Sequence, residues 1–426
     1  MSNAAVRGDD AAPAGRPPSR RRRVAMVLVL LAIAGLGVLV HWASRPRQVA
    51  DIVLAQTGRA LGLTITARGV AEYRLRGMPQ IVLRDVEARL PGDRIPLLRA
   101  ERILLSLPWT TLRSRGRELV VHHVELDGPR LDIGALQRWQ ATRPETAETR
   151  VPRLTDGVSI RRGRVDGAGW HVEAIDVDLP SLAPGQPARA HLRGRLVARS
   201  LHMPFDLRAT LARPEENAGL GLAGTATILR PEWRLALDLV LRGRPRLGEE
   251  PGLDALAVGA DALYSAGDSR LPFGLGIAGR LRWRDGLVLR PAGLVLRQGR
   301  EIPDLQAGGM LTWRDTLAFS LTGSMRRWPA GWPALPAPLA RPAGPLPLDL
   351  DYAGPPDLSG TARLALKSGA TRLQADFRLP RILQWLESDA RGTPLPPLDG
   401  RLTTPRLEVP GMVLHGVEIE VDDGGS

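Results

Sequence analysis

The chain contains no cysteine, which removes disulfides, thiolate catalysis and cysteine-based metal sites together. A chain without thiols is safe in an oxidising space, although the absence does not by itself fix a compartment. Lysine is reduced to Lys367, aromatic residues make up only 4%, and long hydrophobic runs are missing outside one stretch near the N-terminus. Arginine therefore supplies nearly all of the 58 basic residues, which face 45 acidic ones for a formal charge of +13. Residues 1–23 hold six arginines against Asp9 and Asp10, and beyond them arginines and carboxylates alternate. Nucleic-acid proteins concentrate basic charge on one face with aromatic or motif support, so no nucleic-acid partner is expected. A mild basic excess suits anionic lipid headgroups better. Glycine (46) and proline (37) are plentiful, as in folds of many short strands joined by turns. A length of 426 residues admits several ordinary domains, or one extended architecture that grows by adding elements.

The exceptional hydrophobic run is "SRRRRVAMVLVLLAIAGLGVLVHW", where Arg20 to Arg23 precede an uncharged segment ending at His41 and Trp42. At 1.5 Å per residue, residues 24–42 reach roughly 28 Å, close to the hydrocarbon thickness of a bilayer. Val24, Leu28, Leu31, Leu36, Val40 and Trp42 mark this anchor. Cleavage after Ala43 would place His41 where a signal peptidase needs a small residue, which favours a retained span. Arginines stay cytoplasmic. The expected order is then a disordered cytoplasmic tail at 1–23, a transmembrane helix at 24–42 and a translocated remainder, periplasmic in a bacterium.

After the span, "RQVADIVLAQTGRAL" has broadly helical apolar spacing and predicts a short amphipathic helix. The period then drops to two in "LRDVEARL", "VVHHVELDG" and "VEAIDVDLP". Residues 45–140 form an N-terminal region, and 141–153, "ATRPETAETRVPR", reads as a linker or loop because it has no periodicity. Residues 154–426 form the remainder. Within it, "WPAGWPALPAPLARPAGPLP" is too rich in Pro and Gly for a sheet interior, and "PRILQWLESDA" reads as a helix opened by proline.

Alternation is cleanest in the middle. Trp233, Leu235, Leu237, Leu239 and Leu241 share one face of a strand. Phe273, Leu275, Ile277, Leu281 and Trp283 do the same, opposed by Gly274, Gly276 and Ala278; Leu317, Phe319 and Leu321 form a third set. "LRWRDGL" and "LTWRDTL", thirty residues apart, read as one rim turn used twice, since Asp-Gly favours a hairpin.

Nothing in the sequence identifies an enzyme. None of the seven histidines (His41, His122, His123, His171, His191, His202, His415) is paired at the i, i+4 spacing of a helical zinc site. Adjacent His122 and His123 should face opposite ways on a strand. "GLGLAG" (Gly219 to Gly224) and "GLGIAG" (Gly274 to Gly279) match G-x-G-x-x-G, but strand alternation runs through both, whereas a dinucleotide fingerprint opens a helix. Asp176 with Asp178, and Glu418 with Glu420, read as solvated strand faces. No cofactor or metal is expected.

Roughly twenty strands, each with about three apolar residues on one side, would expose on the order of sixty apolar side chains, each worth about 1.5–3 kcal/mol when buried. The few predicted helices cannot cover that surface, and a closed barrel of that size would be too wide to fill. The expected fold is mostly β: an N-terminal transmembrane helix, then an elongated, twisted antiparallel sheet forming an open hydrophobic groove, with a few short helices. Trp233, Leu235, Leu237, Leu239, Phe273, Leu275, Ile277, Trp283, Phe319 and Leu321 are its expected lipid-facing residues, and phospholipid acyl chains its expected occupant.

The anchor followed by "TGRALGLTITARG", "PQIVLRDVEARL" and "VVHHVELDGPRLDI", with the closing "PPLDGRLTTPRLEVPGMVLHGVEIEV", resembles the AsmA family of Gram-negative envelope proteins. The resemblance covers about the first 135 and last 40 residues. It implies an inner-membrane anchor, a periplasmic β-rich groove and a part in outer-membrane lipid homeostasis, with outer-membrane or envelope-assembly proteins as partners. It supplies no catalytic residue. A second class stays open: a scaffold for envelope assembly, type II secretion N-like or a helper of outer-membrane protein assembly, whose apolar face packs internally.

Overall fold

The computed structural model describes residues 61–69, 72–74, 78–108, 120–142, 153–198, 201–213, 218–246, 250–283, 286–297, 302–329, 344–356, 358–387, 397–409 and 412–422, with 54, 58, 59, 299 and 339. The expected span at 24–42 and its residues Val24, Leu28, Leu31, Leu36, Val40 and Trp42 lie outside them. Among the described residues no helix is long and apolar enough to cross a membrane.

The protein is mostly β. Its first part contains β1 (Thr64–Ala67), β2 (Glu72–Arg74), β3 (Gln80–Arg89), β4 (Leu98–Ser106), β5 (Val120–Val121), β6 (His123–Asp127) and β7 (Arg130–Asp132). Helix α1 (Ile133–Ala141) follows, then β8 (Arg153–Leu154) and β9 (Val158–Gly167). The long series comprises β10 (Trp170–Leu179), β11 (Ala188–Ala198), β12 (Leu201–Leu211), β13 (Leu220–Leu229), β14 (Arg234–Arg246), β15 (Gly252–Ala266) and β16 (Ser269–Arg282). It continues with β17 (Leu287–Arg297), β18 (Asp304–Trp313), β19 (Leu317–Arg327), β20 (Leu346–Gly354), β21 (Thr361–Ser368) and β22 (Thr371–Arg378). Helix α2 (Leu379–Glu387), β23 (Leu398–Val409) and β24 (Met412–Val421) close the chain.

Twenty-two of these strands form one sheet. From β9 to β24 each strand pairs antiparallel with the next in sequence, so the order is an unbroken meander. Among the described residues β24 pairs only with β23, and β1 and β2 only with β3.

The expected all-antiparallel sheet needs a correction. β6 and β7 both pair with β9 in parallel, and the small β5–β8 sheet is parallel as well. A parallel return requires a crossover, and α1 lies in that crossover. This helix was not expected from the sequence. Asp132 caps it, its carboxylate accepting the Ala135 N–H at 2.7 Å, an arrangement that stabilises a helix by about 1 kcal/mol. Trp139 then pins it by donating its indole N–H to the Leu61 carbonyl at 2.7 Å.

Bulges bend several strands. Arg162, Ala174 and Ala255 have φ between 50° and 54°, at the places where the ladders of β9, β10 and β15 skip or shift register. Of the expected N-terminal helix, Leu54, Gly58, Arg59 and Leu61 are described and helical. Leu54 is buried against Ile81, Leu83 and Val86. The helix expected from Pro380 is α2.

Candidate functional site

Strand alternation and register assemble one apolar row after another across the sheet. The longest runs from β3 to β20: Leu83, Ile103, Leu126, Ile160, Val177, Leu192, Leu207, Gly224, Leu239, Ala260, Leu275, Leu296, Leu305, Met325 and Leu346, each directly opposite the next. A second reaches the last strand, from Ala209 through Leu241, Ile277 and Leu366 to Leu402 and Ile419. No charged side chain interrupts either row.

The expected lipid-facing residues fall on this face. Leu239 and Leu275 belong to the first row and Ile277 to the second. Leu237 faces Ala262, which faces Phe273; Leu235 faces Tyr264. Leu321 lies opposite Gly309 and Phe319 opposite Leu311, in rows that continue to Leu350 and Tyr352. Trp233 and Trp283 lie outside the rows, at strand ends. Trp233 precedes β14 with its ring 5.7 Å from that of Tyr264, and Trp283 follows β16, 37% exposed.

Burial changes along the longest row. Leu83 at one end, and Leu305, Met325 and Leu346 at the other, are buried, while every member from Ile103 to Leu296 is only half-buried. Two local covers account for the ends. Leu54 covers the first. Leu339, only 1% exposed, packs with Leu305, Met325, Leu346, Leu348, Leu366 and Leu402 at the other. Leu339 belongs to the Pro-rich segment that the sequence marks only as a loop. The signal was a leucine among prolines, which has no period to read.

The opposite face is ionic. Arg162 bridges Asp127 at 2.8 Å and Glu101 at 2.7 Å; Arg363 meets Asp376 at 3.0 Å, and Arg401 meets Glu418 and Glu420 at 3.4 and 3.1 Å. The His191 ring lies 2.5 Å from Asp206 and holds that carboxyl below its usual range by hydrogen bonding. Asp176 accepts the Arg162 backbone N–H at the bulge. An open cleft of about 440 Å³ lies mostly on this side, its polar lining including Ser320, Asp351, Arg363 and Asp376. Of its two carboxylates, Asp376 is ion-paired with Arg363, and Asp351 lies opposite Arg363 in the strand register.

His122 and His123 do not face opposite ways on a continuous strand, because the chain bends between β5 and β6. Both rings reach one turn, His122 contacting Thr155 and Asp156 and His123 the Asp156 carbonyl. Among the described residues no group of three His, Asp or Glu side chains could hold a metal ion.

Both G-x-G-x-x-G matches lie largely within strands, in β13 and β16. Gly224 and Gly279 belong to the apolar rows, with φ of 145° and 156°, and a Cβ on either would overlap a neighbouring strand's carbonyl oxygen at 2.2 or 2.1 Å.

Comparison with protein-family models, with curated proteins and with solved structures finds no match to this chain.

Proposed function

We propose that this chain is a non-enzymatic, AsmA-like periplasmic protein, held in the inner membrane by residues 24–42, whose apolar sheet face is an open groove that holds or conducts phospholipid acyl chains. In this reading it serves outer-membrane lipid homeostasis, with envelope proteins as partners. One observation carries it. The longest row runs from β3 to β20, yet its members from Ile103 to Leu296 stay half-buried, while Leu256, Leu289, Ala292 and Leu321 in neighbouring rows are buried against one another, and the other sheet among the described residues is only the two-stranded β5–β8. Fully burying a large apolar side chain is worth about 1.5–3 kcal/mol relative to full exposure, and the half-buried members of the row would gain the remaining fraction of that each, so an apolar occupant along the whole row is favoured. An acyl chain is continuous, flexible and available at a bilayer anchor.

Lipid mass spectrometry on gently extracted full-length protein tests the reading. Wild type should carry phospholipid. Leu237→Glu and Ile277→Glu should lose it while membrane anchoring and the β-sheet circular dichroism persist. Lipid-free wild type, or unchanged lipid in the folded variants, rejects the groove.

A second reading rests on Leu339. The cluster around it is buried and filled by the chain itself, as an assembly scaffold with a self-packed face would be throughout. That reading predicts no co-purifying lipid.

A further inference from the structure

Of the seven described tryptophans, Trp139 lies in α1 and Trp385 in α2; those of the sheet are not scattered. Five belong to the described sheet region, and each stands at a strand end. Trp170 opens β10, Trp233 precedes β14 and Trp328 follows β19; Trp283 follows β16 and Trp313 ends β18. In an unbroken antiparallel meander the first three lie at one end of the strands and the last two at the other.

All five border the apolar face. Trp170 pairs with Gly167, and a Cβ there would strike the indole at 2.2 Å, so the ring lies across that glycine. Trp313 lies opposite Leu287 and Leu317. Trp233 is tilted against Tyr264, Trp328 packs on the cluster around Leu339, and Trp283 is two positions beyond Leu281. The rings are not sealed in: Trp170 is 36% and Trp283 37% exposed. Between the two borders the rows contain Leu, Ile, Val, Ala, Gly, Met, Phe and Tyr, and no tryptophan among the described residues.

Indole combines a large apolar body with one N–H donor, and it concentrates where hydrocarbon meets polar headgroups. A plain hydrophobic seam has no need of such a residue at both margins and none in the middle. Resting on the groove reading above, we infer that the five tryptophans form two aromatic borders that sit at the ester and phosphate level of bound lipid. They hold the headgroup outside while the chains enter. Glycerophospholipid and diacylglycerol share the ester acceptors, so discrimination rests on the phosphate, whose anionic oxygens accept the stronger indole N–H bonds; the substrate class is thereby narrowed to glycerophospholipids.

The test uses the full chain loaded with phospholipids brominated near the ester or near the chain terminus. Border indoles should be quenched more strongly by the bromines near the ester. Replacing all five with Phe keeps the aromatic body and removes the donor together with the fluorescent reporter, so this variant is read by its lipid selectivity. It should lower the preference for phospholipid over diacylglycerol several-fold. The pair Trp170→Phe and Trp283→Phe, at the most exposed positions, provides a milder variant should the fivefold one fail to fold. Wild type that binds no lipid overturns the groove reading and this inference with it. Lipid-loaded protein with equal quenching at both depths, or an unchanged preference in the variants, overturns the inference alone.

Discussion

Thr371 donates its hydroxyl proton to Thr404. The two oxygens are 2.9 Å apart, and the Thr404 proton is already committed to the Arg406 carbonyl at 2.9 Å, which fixes the direction. Both side chains are at most 2% exposed. The two partners are therefore unequal: Thr371→Val removes a donor and leaves Thr404 bonded to Arg406, whereas Thr404→Val strands the Thr371 hydroxyl. Urea denaturation should give a loss of about 0.5–1.5 kcal/mol for the first and a larger one, up to about 3 kcal/mol, for the second.

The covered and open parts of the apolar face should respond differently to truncation. Leu366 is fully buried beneath Leu339, so Leu366→Ala should cost about 2–5 kcal/mol. Leu237 is half-buried, and its alanine variant in lipid-free protein should cost about 1 kcal/mol, since it leaves little new cavity. Equal losses in chemical denaturation would contradict the unequal cover.

Glycine at 279 is required by close strand approach, while glycine at 276 is not. A Cβ on Gly279 would lie 2.1 Å from the Pro291 oxygen, whereas one on Gly276 meets Val295 at an ordinary 3.5 Å. Gly279→Ala should destabilise by about 1–3 kcal/mol. Gly276→Ala should be neutral or stabilising by up to about 1 kcal/mol, because it restricts the unfolded chain. Paired thermal melts decide the matter.

Acid should loosen the polar face. The Arg282 guanidinium donates to Asp254 at 2.6 Å and, with further attraction from Arg246 and Arg280, holds that carboxyl below its usual range. A depressed folded-state value means that the contribution is present above the ordinary carboxylate pKa of about 4 and fades as pH falls through the lower folded value. Wild type should therefore melt above Asp254→Asn at neutral pH, with the gap closing in acid. A gap that widens on acidification would contradict the pairing.

Much of this was legible in the sequence because strand faces obey a period of two. Leu235, Leu237 and Leu239, like Leu275 and Ile277, could be assigned to one side by alternation alone. "LRWRDGL" and "LTWRDTL" did mark neighbouring hairpins at one strand end: Gly286 packs against Trp313 and Arg314. What escaped has equally local causes. Asp132 was a readable cap, but it follows so closely on strand residues that α1 and its parallel return were hidden. Arg162, Ala174 and Ala255 adopt positive φ without being glycine, and nothing in their neighbours announces a bulge. Leu339 is held by tertiary packing and belongs to no periodic run. Pairing order, finally, is a non-local property that alternation cannot supply.

The unbroken neighbour-to-neighbour meander from β9 onward makes this fold modular in one direction. Each strand from β10 to β23 owes its hydrogen bonds to the strands before and after it, so stability accumulates interface by interface, as in repeat proteins. Excising an adjacent down-and-up pair would return the polypeptide to the same margin, facing the same way. Trp283 and Trp313 mark one such step of thirty residues. The reach of the molecule can thus be lengthened or shortened in hairpin units without redesigning what remains.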